Sequence, residues 1–317
     1  MKLVITDGAT LNPGDLDWTP LTAFGELIYY DFTPKELAGE RCADATIIIC
    51  NKTIISGDTI RAAKELKLIA VTATGYNNID LSAAREAGVT VCNVPEYGTF
   101  SVAQHTFALL LELTNHVGLN AASTRNDGWV KEGVWSYTRK PIVELRDKVL
   151  GIVGFGRIGR QVAVLGKAFG MKILFNNRSA ISYPDAEQVS IQRLFAESDV
   201  VSLHCPLTAE NKHFVNLQLL ATMKRNALLI NTSRGPLISE EDLVAALDRG
   251  MLAAAALDVL AEEPPHAGHP LPNHEKCLVT PHNAWISFEA RARLMKQTIK
   301  NIESFLKGQT INEVNAR

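Results

Sequence analysis

The run Val149-Leu-Gly-Ile-Val-Gly154-Phe155-Gly156-Arg157-Ile158-Gly159-Arg160 admits few local structures. An apolar stretch from Lys148 to Phe155 reads as a buried strand, and Arg157 to Phe169 as a helix stopped by Gly170. Met171 to Asn176 then reads as the next strand. Between strand and helix, Gly154 allows a tight reversal, Gly156 lets main chain approach a ligand, and Gly159 lets helix and strand pack closely. A helix start presents unpaired N–H groups to an anion. The spacing in this strand–turn–helix context predicts a dinucleotide pyrophosphate site made of Gly154, Gly156, Arg157, Ile158 and Gly159.

The remaining sequence repeats the alternation in two sets. Leu3 to Thr6, Leu27 to Tyr30, Thr46 to Cys50, Leu68 to Thr72 and Thr90 to Asn93 read as strands, separated by short helices such as Ser56 to Glu65 and Leu81 to Ala87. A second set starts at Lys148 and continues with Val200 to His204, Ala227 to Asn231, Ala253 to Asp258 and Cys277 to Thr280. Repeated strand–helix order implies parallel, doubly wound α/β sheets. Between the sets, Phe100 to Leu119 reads as one long, largely apolar helix linking two domains, followed by a polar, Trp-bearing connection from Asn126 to Lys140. Phe288 to Leu306 reads as a final helix that packs back onto the first domain. At 317 residues the chain exceeds what one core commonly supports, so two domains are expected.

Composition excludes several classes of partner. The net charge of −2 comes without a basic stripe, so nucleic acid and anionic membranes are not expected ligands. No apolar run reaches the roughly 18 to 20 residues that span a bilayer, and the N-terminus reads as a strand rather than a signal peptide. Cys42, Cys50, Cys92, Cys205 and Cys277 are odd in number and lack paired spacing, so they read as reduced thiols of a cytoplasmic protein. His266, His269 and His274 lie in a Pro-rich segment that reads as a surface loop, and no metal site is predicted.

In open α/β sheets ligands lie beyond the carboxyl ends of strands. Arg234, Glu263 and His282 follow successive strands of the second set. An arginine holds a carboxylate bidentately, a histidine exchanges one proton near neutrality, and a neighbouring glutamate favours the imidazolium. With a nicotinamide cofactor these groups suffice to reduce a 2-keto acid.

The segments GFGRIG, HCPLT (204–208), NTSRGPLI (231–238), LDVLAEEP (257–264) and TPHNAW (280–285) resemble the D-isomer-specific 2-hydroxyacid dehydrogenase family, as do ATGYNNID (73–80) and NVP (93–95). NPGDL, NKT and ATGYNNID are most similar to glycerate dehydrogenases, also called hydroxypyruvate or glyoxylate reductases. The resemblance implies two Rossmann-like doubly wound domains, with a cofactor domain (99–285) inserted into a flavodoxin-like substrate domain (1–98 and 286–317). It implies that Arg234 binds the substrate carboxylate and carbonyl, His282 is the general acid, and Glu263 orients and charges it. Main-chain groups around Thr74 and Gly75 would also hold the substrate, and domain closure would hinge near 96–98 and 285–288. Asp258 would sit near the nicotinamide, with Cys205, Pro206, Thr232 and Ser233 completing the cofactor site. Phosphoglycerate or D-lactate dehydrogenases and a dinucleotide-sensing corepressor share the fold and remain alternatives.

The resemblance also implies a homodimer, with Trp135 a candidate to enter the partner's active site. After the second cofactor-domain strand, where NAD-specific relatives carry an aspartate, this chain has Asn177-Arg178-Ser179. Asn177 removes a charge that would repel a 2′-phosphate, and Arg178 and Ser179 can donate to one, so NADP(H) is expected over NAD(H).

Overall fold

The computed structural model describes residues 1–316 and comprises two compact units, Met1–Gly98 with Ile286–Arg317, and Thr99–Trp285. The first holds strands β1 (Lys2–Ile5), β2 (Glu26–Tyr29), β3 (Ile47–Cys50), β4 (Leu68–Val71) and β5 (Thr90–Cys92), all parallel in the order β2-β1-β3-β4-β5. The second holds β6 (Val149–Val153), β7 (Lys172–Asn176), β8 (Ala186–Gln188), β9 (Val200–Leu203), β10 (Leu228–Asn231), β11 (Ala254–Leu257) and β12 (Cys277–Val279). Its order is β12-β11-β10-β9-β6-β7-β8, again all parallel. The first order is flavodoxin-like, and the second is the Rossmann order extended by one strand.

Near-continuous apolar strands form because both faces of each sheet are covered. In the first unit Ile47 and Ile49 join Leu3, Ile5 and Leu68 against Ile302 of the helix Phe288–Leu306, whereas Ile48 and Cys50 join Val4, Ile69 and Val71 on the opposite face. Each fully buried Ile contributes roughly 1.5–3 kcal/mol. In the second unit Ile152, Phe175 and Ile230 pack with Ala103, Phe107 and Leu110 of the helix Thr99–Asn115, while Val153, Leu203 and Leu229 face the other way.

Two local expectations are corrected. The single helix expected over Phe100 to Leu119 is two helices, Thr99–Asn115 and Val117–Arg125, because His116 adopts a left-handed backbone at φ 51°. Val102, Phe107, Leu109 and Leu110 of the first are buried, whereas Phe100 is 64% and Val117 61% exposed. The loop with His266 and His269 is not wholly superficial, since His269 is buried and its Nε2 lies 3.2 Å from Glu240 Oε2. The short helix Gly128–Glu132 and the edge strand β8 complete the second unit. Among the described residues no helix is long and apolar enough to cross a membrane.

Candidate active site

The glycine turn leaves β6 at the point where strand order reverses between β6 and β9. Gly154 has φ 91°, and a Cβ there would lie 2.5 Å from the amide nitrogen of Cys205. A Cβ on Gly159 would overlap the carbonyl of Gly154, so the helix Arg157–Ala168 seats on the turn only without a side chain at that position. Gly156 differs: a Cβ there would meet no heavy atom within 4 Å. As N-cap it supplies no capping side chain to the first turn of the helix. These features fit a pyrophosphate.

The next strand end closes on the same turn. Asn177 Oδ1 accepts from the Phe155 amide at 3.2 Å, and its Nδ2 donates to Ser179 O at 3.2 Å. Gln188 on β8 donates to the carbonyls of both Asn177 and Ser179 at 3.0 Å, fixing the segment while Arg178 and Ser179 stay exposed. Across the turn, Ser233 Oγ donates to Cys205 O at 2.5 Å, joining the ends of β9 and β10, and Thr232 Oγ1 lies 3.1 Å from Thr106 Oγ1. Pro206 is exposed, and burial pushes the Cys205 thiol up to about 11, so it is no nucleophile at neutral pH.

Arg234 is set by its own loop. Asn231 Oδ1 accepts from Ser233 N at 3.0 Å and its Nδ2 donates to Arg234 O at 2.9 Å, while Arg234 Nη1 donates to Ser233 O at 2.7 Å. A Cβ on Gly235 would collide with the main chain of Leu260, so this loop lies directly against the one carrying Glu263. Leu260 N donates to Glu263 Oε1 at 3.1 Å, and Ala261 N to Glu240 Oε1 at 2.8 Å.

Glu263 Oε2 and His282 Nδ1 are 2.6 Å apart, with side chains 34% and 22% exposed. A carboxylate only accepts, so Nδ1 carries the hydrogen and Nε2, on the far side of the ring, is left to exchange a proton with a ligand. His282 stands in a left-handed backbone at φ 51°, which costs a non-glycine residue about 1 kcal/mol or more. Asp258 offsets that cost: its carbonyl accepts from His282 N at 2.8 Å, Oδ1 from Asn283 N at 3.0 Å and Oδ2 from Ala284 N at 2.9 Å. Burial works to raise the Asp258 pKa, but hydrogen bonds from His105, Thr280, Ala284 and Asn283 outweigh it and hold the carboxyl below its ordinary value. This clamp was not read from the sequence. Beside it, Asn283 Oδ1 is buried without a hydrogen-bond partner.

In the first unit, Thr74 and Gly75 follow β4. Thr74 Oγ1 donates to Val94 O at 2.9 Å and Asn93 Nδ2 donates to Thr74 O at 2.8 Å, fixing this loop's main chain. Asp7, buried after β1, accepts from the amides of Asn51, Lys52 and Thr53 and so shapes the NKT loop. Asp15 of NPGDL pairs bidentately with buried Arg291, 2.6 Å at each oxygen.

A dinucleotide turn followed by Arg, Glu and His at successive strand ends defines a class, and the comparisons agree. The model of the D-isomer specific 2-hydroxyacid dehydrogenase NAD binding domain matches residues 107–284. The chain belongs to the D-isomer specific 2-hydroxyacid dehydrogenase family, and is thereby an oxidoreductase. It is 42% identical over 321 residues to a hydroxypyruvate reductase of Blautia hydrogenotrophica, covering 99% of this chain and 100% of that protein. It is 38% identical over 290 residues to a glycerate dehydrogenase of Methylorubrum extorquens, covering 90% of each. Among solved structures, an acyclic imino acid reductase in complex with NADPH and D-Arg shares 30% identity with a TM-score of 0.86, covering 99% of this chain and 100% of that one.

Proposed function

We propose that this chain reduces hydroxypyruvate or glyoxylate to D-glycerate or glycolate, using NADPH in preference to NADH. The observation that carries the reading is the His282–Glu263 pair at 2.6 Å, which leaves Nε2 as proton donor. Arg234 holds the substrate carboxylate and polarises the C2 carbonyl with its guanidinium fork. A bound reduced nicotinamide would supply the hydride that C2 receives. His282 delivers the proton to the carbonyl oxygen, and Glu263 keeps the ring oriented.

Gly154, Gly156, Arg157, Ile158 and Gly159 would hold the pyrophosphate, with Cys205, Pro206, Thr232 and Ser233 lining the remainder of the dinucleotide. Asp258 contributes through the segment it clamps. Asn177, with exposed Arg178 and Ser179, favours a 2′-phosphate because no carboxylate repels it. Five free cysteines are consistent with a reducing, cytoplasmic setting.

A homodimer is the expected assembly. The segment 117–143 exposes Val117, Trp129, Val130, Trp135 and Ile142, with Trp135 95% exposed, as expected of a surface that covers a second copy and sends Trp135 toward its substrate. Sedimentation giving only a monomer at micromolar concentration removes this part of the reading.

A panel of glyoxylate, hydroxypyruvate, pyruvate and longer 2-keto acids with both cofactors tests the whole. The two small substrates should give the highest kcat/KM, with NADPH above NADH. A preference for pyruvate or longer acids refutes the substrate assignment, and a higher value with NADH refutes the cofactor assignment. Absence of turnover across the panel favours a dinucleotide-sensing binding protein.

A further inference from the structure

His105 is a polar residue on the otherwise largely apolar helix Thr99–Asn115, and its ring reaches two side chains at the strand ends. Its Nε2 lies 3.1 Å from Thr280 Oγ1 and 3.4 Å from Asp258 Oδ1. Thr280 has one hydroxyl hydrogen, and at 2.6 Å it goes to the Asp258 carboxylate. Thr280 Oγ1 therefore accepts from His105, which places a hydrogen on Nε2. The result is a directed chain from His105 through Thr280 to Asp258, whose two carboxylate oxygens hold the amides on the C-terminal side of His282.

One turn earlier on the same helix, Ser101 Oγ donates to Ala284 O at 2.7 Å. Positions four apart share a helix face, so Ser101 and His105 grip the two ends of the segment Thr280–Ala284. His282 sits between the grips in its left-handed conformation. A ring held at 2.6 Å from a carboxylate on another loop tolerates little drift of its backbone, and a charge-assisted bond falls off steeply with misalignment.

We infer that His105 is a positioning residue for the reaction: through Thr280 and Asp258 it locks the segment that aims His282 at the substrate. The inference rests on the proposed role of His282. His105 touches neither substrate nor cofactor in this scheme, so its loss lowers kcat and leaves binding intact.

The test uses the full-length enzyme with NADPH and glyoxylate. His105→Leu removes the donor at similar volume and should lower kcat about five- to tenfold, with KM and cofactor affinity within about twofold of the unmutated enzyme. His105→Gln restores a donor to Thr280 and should recover most of that loss. Thr280→Val should reproduce the fall and Thr280→Ser should not, which decides the matter if the leucine variant fails to fold. Combining His105→Leu with Thr280→Val should cost little more than either alone, because both break one chain. A leucine variant with unchanged kcat, or a glutamine variant no better than leucine, overturns the inference. His282→Ala separates the two levels: if it turns over normally the underlying reading fails, and if it is inactive while His105→Leu is normal only the positioning role fails.

Discussion

Glu263→Gln isolates what the carboxylate does for His282, and the structure sets the size of the effect. Among its contacts, Glu263 accepts from Leu260 N at Oε1 and from His282 Nδ1 at Oε2. A glutamine amide has one acceptor oxygen, so whichever donor loses it faces an NH2 group. If the oxygen stays with Leu260, the histidine contact becomes repulsive; if it turns to His282, the loop amide is orphaned. Exchanging a charge-assisted bond for a neutral one costs about 1 kcal/mol, and an orphaned donor adds about 1–3 kcal/mol. The pair is partly open to water, which can replace the lost partner, so a total near 2–3 kcal/mol is expected. Expressed in the transition state, that is a fall in kcat of about 30- to 150-fold. Steady-state oxidation of NADPH with glyoxylate measures it, and cofactor affinity read by fluorescence should not change. A kcat within about threefold of the unmutated enzyme would show that Glu263 does not orient the ring.

Asn177→Asp should raise kcat/KM for NADH relative to NADPH by about tenfold or more through repulsion of a 2′-phosphate; an unchanged ratio places discrimination elsewhere. Gly156→Val should fold with an unchanged thermal midpoint, since its Cβ meets only open space, yet weaken cofactor binding more than about tenfold; undiminished affinity refutes the close approach at Gly156. His204 ties stability to pH. Although the residue as a whole is half-buried, desolvation pushes its pKa down from 6.5 to about 3, and its Nε2 pairs with Ser202 Oγ at 2.8 Å. The unfolded chain takes up a proton below pH 6.5 while the folded one does not, so stability is full above that value and falls as pH drops toward the folded pKa. Between pH about 7.5 and 5.5 the loss is about 1.4 kcal/mol. Denaturant unfolding of His204→Gln should show a pH slope smaller by that amount, and equal slopes would mean that His204 titrates normally in the fold.

Strand positions were legible because parallel strands covered on both faces read as plain apolar runs, as at Ile47–Cys50 and Leu228–Asn231. The helix Phe288–Leu306 was legible to the residue, with Ser287 capping its first turn by accepting from Ala290 N at 3.2 Å. The break at His116 was not, because neither glycine nor proline marks it and histidine in a left-handed backbone leaves no local signature. Arg234, Glu263 and His282 stood out as polar residues just past apolar strands, and Glu263 and His282 do meet. The supports of those side chains were hidden. Asp258 read as a residue near the nicotinamide; that its carboxylate is buried against two backbone amides and a threonine, and its carbonyl against a third amide, follows only when the chain between 258 and 284 folds back on itself. His105 lies far away in sequence, so its link to Thr280 is a property of tertiary packing alone.

Arg234, Glu263 and His282 are all borne by Thr99–Trp285, on loops braced by that unit's own strands and helix, whereas Thr74, Gly75 and the NKT loop belong to the other unit. The arrangement is modular in an evolutionary sense. Under the proposed assignment, residues 1–98 can vary in sequence while the proton donor and its supports, all within Thr99–Trp285, are kept. A laboratory testing that separation would diversify the loop at Thr74 and Gly75 and leave the second unit untouched.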